Sequence, residues 1–454
     1  MERVPERPWE DLEQLVKGAN VASLEAYLDE LPATEVARAV SRISDQSRTE
    51  LFSALSPDNA AEVLQSVPDE QAVDWIEQLP PAEAAAIIEQ LPSDEQADLL
   101  NAISDGNAEE ILAEMHPVVA AEARALARYS DDTAGGLMAT EYLAYPEDQT
   151  VEQVINDMRI HADRYRDYPV QYAYVTGEHR QLVGVLRLRD LLLAERNEPI
   201  HSLMIERPLT LPSHADLDHL RDFFDTYSFL GVPVTDDRGR LLGVLYRGAV
   251  DDALRARDVS DFRKSQGILQ EEFRTMPLLL RARRRLSWLS VNIFLNVIAA
   301  SVIAVYQDVL AQVIALAVFL PIISDMSGCS GGQAVAVSMR ELSLGLARPH
   351  EVIRVWLQEL SVGLINGVVL GLLIAAIAWI WHGNPYLGLV VGVALALNTV
   401  IAVSIGGTLP LLMRRLKLDP ALASGPILTT ITDMCGFFLI LSLASILLAK
   451  LTAP

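Results

Sequence analysis

The sequence predicts a multi-domain membrane protein: an α-superhelical N-terminal domain, a tandem α/β module, a linker helix and a five-helix transmembrane domain. Three observations lead there. Of 454 residues, 51% are hydrophobic, yet the net charge is −24. That charge is segregated, since the chain from Leu286 onward holds seven basic and seven acidic residues, while residues 1–285 hold 29 basic and 53 acidic. Two internal repeats fill the charged half.

The first repeat covers 31–103. Leu31, Ile43, Leu55, Val67, Leu79, Leu91 and Ile103 recur every 12 residues, most of them followed by Pro or Ser and then an acid. That order is a helix-start signal. Helices of about nine residues cannot bury an apolar stripe alone, so the spacing predicts a stack in which neighbours cover one another. The domain is expected over 1–130. The second repeat is QLVGVLRLRDLL (181–192) returning as RLLGVLYRGAVDDAL (240–254), with Gly184 and Gly243 in register. A polar helix and a short strand precede each copy, and Met138 and Met204 open the two units, expected over 131–258. Residues 259–285 are expected to form a linker helix. So acidic a half repels phosphates and is unsuited to nucleic acid; it suits cations. The start, MERVPERPWEDLEQ, has no apolar core and is not read as a signal peptide. Cys329 and Cys435 imply no disulfide framework.

Five apolar segments, roughly 287–306, 309–339, 355–381, 386–413 and 426–449, approach the ~20 residues a spanning helix needs. RARRR (281–285), Arg348 with Arg354, and Arg414, Arg415 and Lys417 all fall in connections on one side. The excess places the N-terminus in the cytoplasm and the C-terminus outside, in a multi-pass plasma (inner) membrane protein. Gly363, Gly367, Gly371, Gly388 and Gly392 have the spacing that lets membrane helices approach closely.

Two features disturb the apolar half. PIISDMSGCSGGQAVAV (321–337) sets Asp325, Gly328, Gly331 and Gly332 in a span long enough to be bent or broken around them. SGPILTTITDMCGFF (424–438) sets Asp433 near a helix centre. Each carboxylate costs about 2.5–3.5 kcal/mol if left facing lipid. Thr429, Asp433 and Gly436 share one helical face, with Gly425 and Thr432 at its edges. No intramembrane Lys or Arg is available to either acid, so they face water, each other or a cation; a protonated Asp bonded to a neighbouring helix is the blander alternative. No nucleophile–base set, P-loop or metal-hydrolase motif occurs, and the chain is not read as an enzyme.

The repeated α/β module resembles a tandem pair of CBS modules. Adenosine sites in that family have Gly-x-x-Ser/Thr-x-x-Asp; the first copy here reads GVLRLRD, with Arg187 at the hydroxyl position, and the second, GVLYRGA, lacks the acid. Nucleotide binding is therefore doubtful. Over nearly its full length, and most specifically in DDTAGGLM (131–138), LDPALASGP (418–426) and TDMCG (432–436), the chain resembles the MgtE family of magnesium transporters and channels. The resemblance implies a homodimer with a pore on its two-fold axis, lined by spans two and five. It implies Mg²⁺ as cargo, and Mg²⁺ held between acidic cytoplasmic faces as the signal that closes the gate. It places Asp433 at the pore carboxylate, with Asp325, Thr429, Thr432, Gly328, Gly331, Gln333 and Gly425 as further pore candidates. Asp94, Asp98, Asp251, Asp252, Asp258 and Asp261 are the regulatory candidates. Cys329, Gly332 and Gly425 replace the family's usual amides, and Gly248, Arg255 and Arg257 replace usual carboxylates. Those departures leave open softer cargo such as Co²⁺ or Zn²⁺, and imply weaker regulation by Mg²⁺. A membrane-anchored CBS sensor without transport is the rival class, and channel and coupled transporter both remain open.

Overall fold

The computed structural model describes residues 6–18, 20–166, 168, 171–268, 272–274 and 276–452, without the side chains of 422–424. The chain forms two compact units, Met1–Arg255 and Ala256–Pro454.

The first unit begins with ten short helices. They are α1 (Pro8–Lys17), α2 (Val21–Glu30), α3 (Ala33–Val40), α4 (Asp45–Ala54), α5 (Pro57–Gln65), α6 (Asp69–Ile76), α7 (Pro81–Ile88), α8 (Ser93–Ala102), α9 (Asp105–Glu114) and α10 (Pro117–Leu126). The 12-residue beat falls where each ends. Ile43, Leu55, Val67, Leu79, Leu91 and Ile103 are all buried in one continuous core. Next comes the start signal: Ser44 and Ser56 cap α4 and α5 through their side chains, and prolines occupy the caps of α3, α6, α7 and α8. α5 packs on α7, α7 on α9, α6 on α8 and α8 on α10, which is how such short helices cover their apolar stripes.

The α/β pair follows. In the first copy β1 (Leu143–Pro146), α11 (Val151–Ile160), β2 (Tyr172–Thr176), β3 (Leu182–Arg187) and α12 (Leu188–Leu193) lead to β4 (Ile205–Glu206), which completes a sheet of order β1-β2-β3-β4. The second copy has β5 (Leu211–Pro212), α13 (Leu217–Thr226), β6 (Gly231–Thr235), β7 (Leu241–Tyr246) and α14 (Arg247–Ser265), with sheet order β5-β6-β7. Each copy receives the opening segment of the other. Met204 packs on Gly184 and Met138 on Gly243, and a Cβ at Gly243 would sit 2.8 Å from the Ala139 carbonyl. The repeated glycines are there to admit these crossings. α14 continues from the second copy and ends at Ser265; of the stretch expected as a linker helix, 259–285, residues 269–271 and 275 lie outside the described residues. Gly267 then has φ +80° with Trp288 against it, a conformation and a space that exclude side chains.

The second unit holds the end of α14, then α15 (Leu278–Val305), α16 (Gln307–Gln312), α17 (Leu316–Ser343), α18 (Val352–His382), α19 (Pro385–Arg415), α20 (Pro420–Ile446) and α21 (Leu448–Leu451). Among the described residues, α15, α18, α19 and the stretch Gly425–Ile446 of α20 are long and apolar enough to cross a membrane. At 28 residues α17 is also long enough, but its serines, glycines, Asp325 and Gln333 keep it outside that set. The expected second span, 309–339, divides into α16 and α17. The break precedes the glycine motif, and the motif itself lies within one continuous helix that carries Pro321 inside it. Its Gly331 instead lets α17 press on α19, with room for a hydrogen only: a Cβ would meet the Ala402 carbonyl at 2.9 Å. The same device joins α18 and α19, where Gly367 meets the Ala396 carbonyl and Gly371 meets Gly392. α19 is central, with Val390, Val391, Ala394, Leu395, Ala402 and Leu411 buried.

Candidate functional site

The site begins with a carboxylate in an apolar helix. α20 carries Asp433 half-buried, and the Ser324 hydroxyl of α17 donates a hydrogen bond to its Oδ1. Neither α17 nor α20 offers it a cation; the basic residue of α17 is Arg340, four turns beyond Ser324 and 3.9 Å from Asp258 of α14. α17 and α20 pack together, so a carboxyl group without an ionic partner on either helix lies where their polar faces meet.

The other pore candidates divide by face. Asp325, Gln333 and Thr429 are exposed in the protomer, Gly328 is half-buried, and nothing crowds Gly328. Gly331 is buried at the α19 crossing. Thr432 is fully buried, its hydroxyl donating to the Thr429 carbonyl at 3.0 Å. Gly425 and Gly332 line a cavity of about 530 Å³ with Asp258, Asp261 and Arg340. There α14 is tied to the start of α20, because Lys264 lies 2.9 Å from Asp419, whose other oxygen caps the helix at the Ala421 amide. Burial, and secondarily the Asp419 charge, raises the Asp261 carboxyl above the usual range.

The regulatory candidates also separate. In the first unit the α8 acids Asp94 and Asp98 share an acidic cluster with Asp131, Asp69 and Glu95. Burial, then Asp131 and the other carboxylates, pushes Asp98 up to about 7. Asp94 is raised chiefly by burial, and its Oδ1 is buried without a hydrogen-bond partner. The start of α8 is fixed to the α/β pair by Glu141, which accepts from the Ser93 amide at 3.1 Å and the Ser93 hydroxyl at 2.8 Å. Asp252 pairs with Arg255 at 2.7 Å and belongs with Asp251 to the first unit; Asp258 and Asp261 belong to the second. No three metal-ligating side chains converge among the described residues.

Ser324, Glu141 and Asn398 were not singled out from the sequence. Ser324 adjoins Asp325 and was legible as a polar neighbour. Asn398, a lone amide in the apolar run LALNTV, carried the same kind of signal as the two acids; its Nδ2 donates to the Thr432 carbonyl at 3.0 Å.

A helical acidic domain, paired CBS modules and a membrane-type helical unit with a carboxyl group inside it together fit a divalent cation transporter. Comparisons with known proteins agree. The profile "MgtE: Divalent cation transporter" matches residues 320–443, "MgtE intracellular N domain" matches 31–132, and the CBS domain matches 134–197 and 200–256. Similar proteins include the magnesium transporter MgtE of Thermus thermophilus, 34% identical over 74% of this chain and 74% of its own. The Bacillus subtilis protein of that name is 32% identical over 70% of each. Of solved structures, the soluble part of a magnesium transporter aligns over 56% of this chain and 98% of its own at TM-score 0.50 and 25% identity. The cytosolic domain of the Mg²⁺ channel MgtE in complex with ATP aligns over 54% and 99% at TM-score 0.49 and 30% identity. The chain belongs to the MgtE family.

Proposed function

We propose that the chain carries Mg²⁺ across the plasma membrane along a pathway lined by α17 and α20 at the axis of a homodimer, with the first unit as its regulator. The observation that carries this reading is Asp433, a carboxyl group within a membrane helix whose hydrogen-bond partner among the described residues is the Ser324 hydroxyl. Intramembrane carboxylates of this kind mark ion paths. Mg²⁺ sheds water reluctantly and is held by one or two carboxylates with several waters retained, so two Asp433 side chains across a two-fold axis suit a hydrated ion. Tighter chelation would hinder release. Flux into liposomes with Mg²⁺, Co²⁺ and Zn²⁺ in turn tests the reading. Absence of any divalent flux would sink it, and preference for Co²⁺ or Zn²⁺ would move the cargo assignment toward the exposed Cys329.

The dimer is a separate expectation. Polar faces of α17 and α20 need a partner, and two-fold symmetry supplies one without further sequence. Native mass measurement in mild detergent should find dimers; monomers alone would count against an axial pathway.

Regulation through Asp98 depends on pH. Its folded pKa is raised from 3.8 to about 7. Between those values the folded protein keeps a proton that the unfolded chain has lost, so this contribution is complete below about pH 4 and disappears as pH rises through 7. Above pH 7 the ionised cluster repels itself, and a divalent cation relieves the repulsion. Asp98→Asn should make residues 1–285 more protease-resistant at pH 8, flatten the pH dependence and weaken protection by millimolar Mg²⁺. A variant that keeps the full Mg²⁺ response would remove Asp98 from the regulatory site. With Asp252 paired to Arg255 and Asp258 near Arg340, the response of the parent should already be shallow.

Nucleotide affinity is expected to be low. Asp190, the acid of the first CBS motif, lies 4.0 Å from Arg187 and 3.4 Å from Arg189, so a ribose must compete with two guanidiniums. Titration calorimetry with ATP checks this, and tight binding would show that the arginines yield.

A further inference from the structure

Among the described residues, three polar side chains of the second unit are fully buried and have an oxygen with no hydrogen-bond partner: Ser327 Oγ on α17, and Asn398 Oδ1 and Thr399 Oγ1 on α19. Orphaned oxygens are uncommon in native interiors, and three on two packed helices form a pattern. Their register brings them to one level. α17 and α19 run in the same direction, since Gly331 meets Ala402 and, further along both, the Ser338 hydroxyl donates to the Gly407 carbonyl at 2.6 Å. Ser327 lies one turn before Gly331, and Thr399 one turn before Ala402, which sets the two residues at one level of this seam. On the side away from Gly331 the level is closed by Gly436 of α20, where a Cβ would meet Asn398 Nδ2 at 2.7 Å and Ile323 at 3.1 Å.

Asn398 links this level to α20. Its Nδ2 donates to the Thr432 carbonyl at 3.0 Å. A carbonyl only accepts, so the amide orientation is fixed and Oδ1 is turned away from that bond. The peptide it holds joins Thr432 to Asp433.

We propose that Ser327, Asn398 and Thr399 form a buried water site within each protomer, and that the site makes Asn398 a positioning residue for Asp433. A water making about three hydrogen bonds matches two hydroxyls and an amide oxygen. A bare cation does not, because these three groups supply no charge to offset the loss of its hydration. The water holds the amide, the amide holds the Thr432 carbonyl, and the carboxylate one residue on keeps its place beside Ser324. The role assigned to Asp433 rests on the pathway proposed above.

The experiment uses full-length protein in liposomes and reads the ratio of Mg²⁺ to Ca²⁺ flux, with thermal melting of the same variants in detergent. Thr399→Val and Ser327→Ala should each lower the ratio about threefold to tenfold, the scale of one lost buried hydrogen bond. The double variant should be no worse than either single, because both remove the same bridge. Thr399→Ser should restore the parental ratio. Asn398→Leu should lower it further; if that variant fails to fold, the hydroxyl variants still carry the test. Singles that melt higher than the parent and keep its ratio would overturn the proposal, as would effects that simply add in the double. Asp433→Asn is measured alongside. If it conducts like the parent, the pathway falls and this inference with it. If it is inactive while the hydroxyl variants keep the ratio, the water site alone is wrong.

Discussion

Asp433→Asn is expected to cut divalent-cation flux by roughly tenfold or more while leaving the dimer intact, since a unit charge ~6 Å away at an effective ε of ~20 is worth about 2–3 kcal/mol to each charge of the ion. Asparagine keeps the shape and an oxygen for the Ser324 hydroxyl, so α17 and α20 stay joined. What goes is the anionic field that compensates partial dehydration. Asp325→Asn should be milder. Asp325 is exposed on α17; if its charge only concentrates ions near the pathway, its effect should shrink at high salt. Paired flux measurements, with dimer yield as the folding control, decide the matter. Normal flux in Asp433→Asn with an inactive Asp325→Asn would move the filter from α20 to α17.

The second large effect is structural. Gly406→Val and Gly331→Val should each cost about 1–3 kcal/mol or more, enough to lose most folded protein. A Cβ at Gly331 would stand 2.9 Å from the Ala402 carbonyl and 3.0 Å from Leu428, and a Cβ at Gly406 would strike the Gly331 carbonyl. Backbone cannot step aside as a flexible side chain can, so the helices must part. Gly328→Val and Gly332→Val are the controls, because nothing lies within 4 Å of a Cβ at either. They should fold, and any loss of flux in them reports on the pathway rather than on packing. Size-exclusion yield and melting separate the pairs; equal yields for all four would show that the α17–α19 contact is looser than described.

Sequence patterns revealed those parts of the fold that repeat. Ile43 to Ile103 announce the helix stack because burial in a repeat follows from period alone. Gly184 and Gly243 mark the two α/β copies for a similar reason, although only the structure shows each glycine serving the other copy's opening segment. The continuity of α17 was not legible. Gly328, Gly331 and Gly332 lower helix propensity, but Gly331 is fixed by a tertiary contact that no local pattern contains. The bounds of α14 were obscured because its polar surface gives no stripe to mark where the second copy stops. At the site, Asp433 stood out as a charge in an apolar run. The partners Ser324 and Asn398 come from distant segments, and only packing brings them to α20.

The bare backbone contact between α18 and α19 has a consequence for how this chain can change over generations. At Gly367, Gly371, Gly388 and Gly392 a Cβ would lie 2.6–2.7 Å from atoms of the facing helix, nearly all of them backbone carbonyls. A first substitution there has no single compensating partner, because an opposing carbonyl cannot be mutated away. α15 is under the opposite regime, with Leu289, Ile293, Phe294 and Val297 all exposed on the protomer. One apolar residue there can replace another at little cost to the fold. Drift along α15 should thus be fast and nearly free of epistasis, whereas the glycine seam should accept variants only through coordinated shifts of two whole helices. A deep mutational scan for folded protein would record that contrast as a sharp boundary between neighbouring helices of one membrane unit.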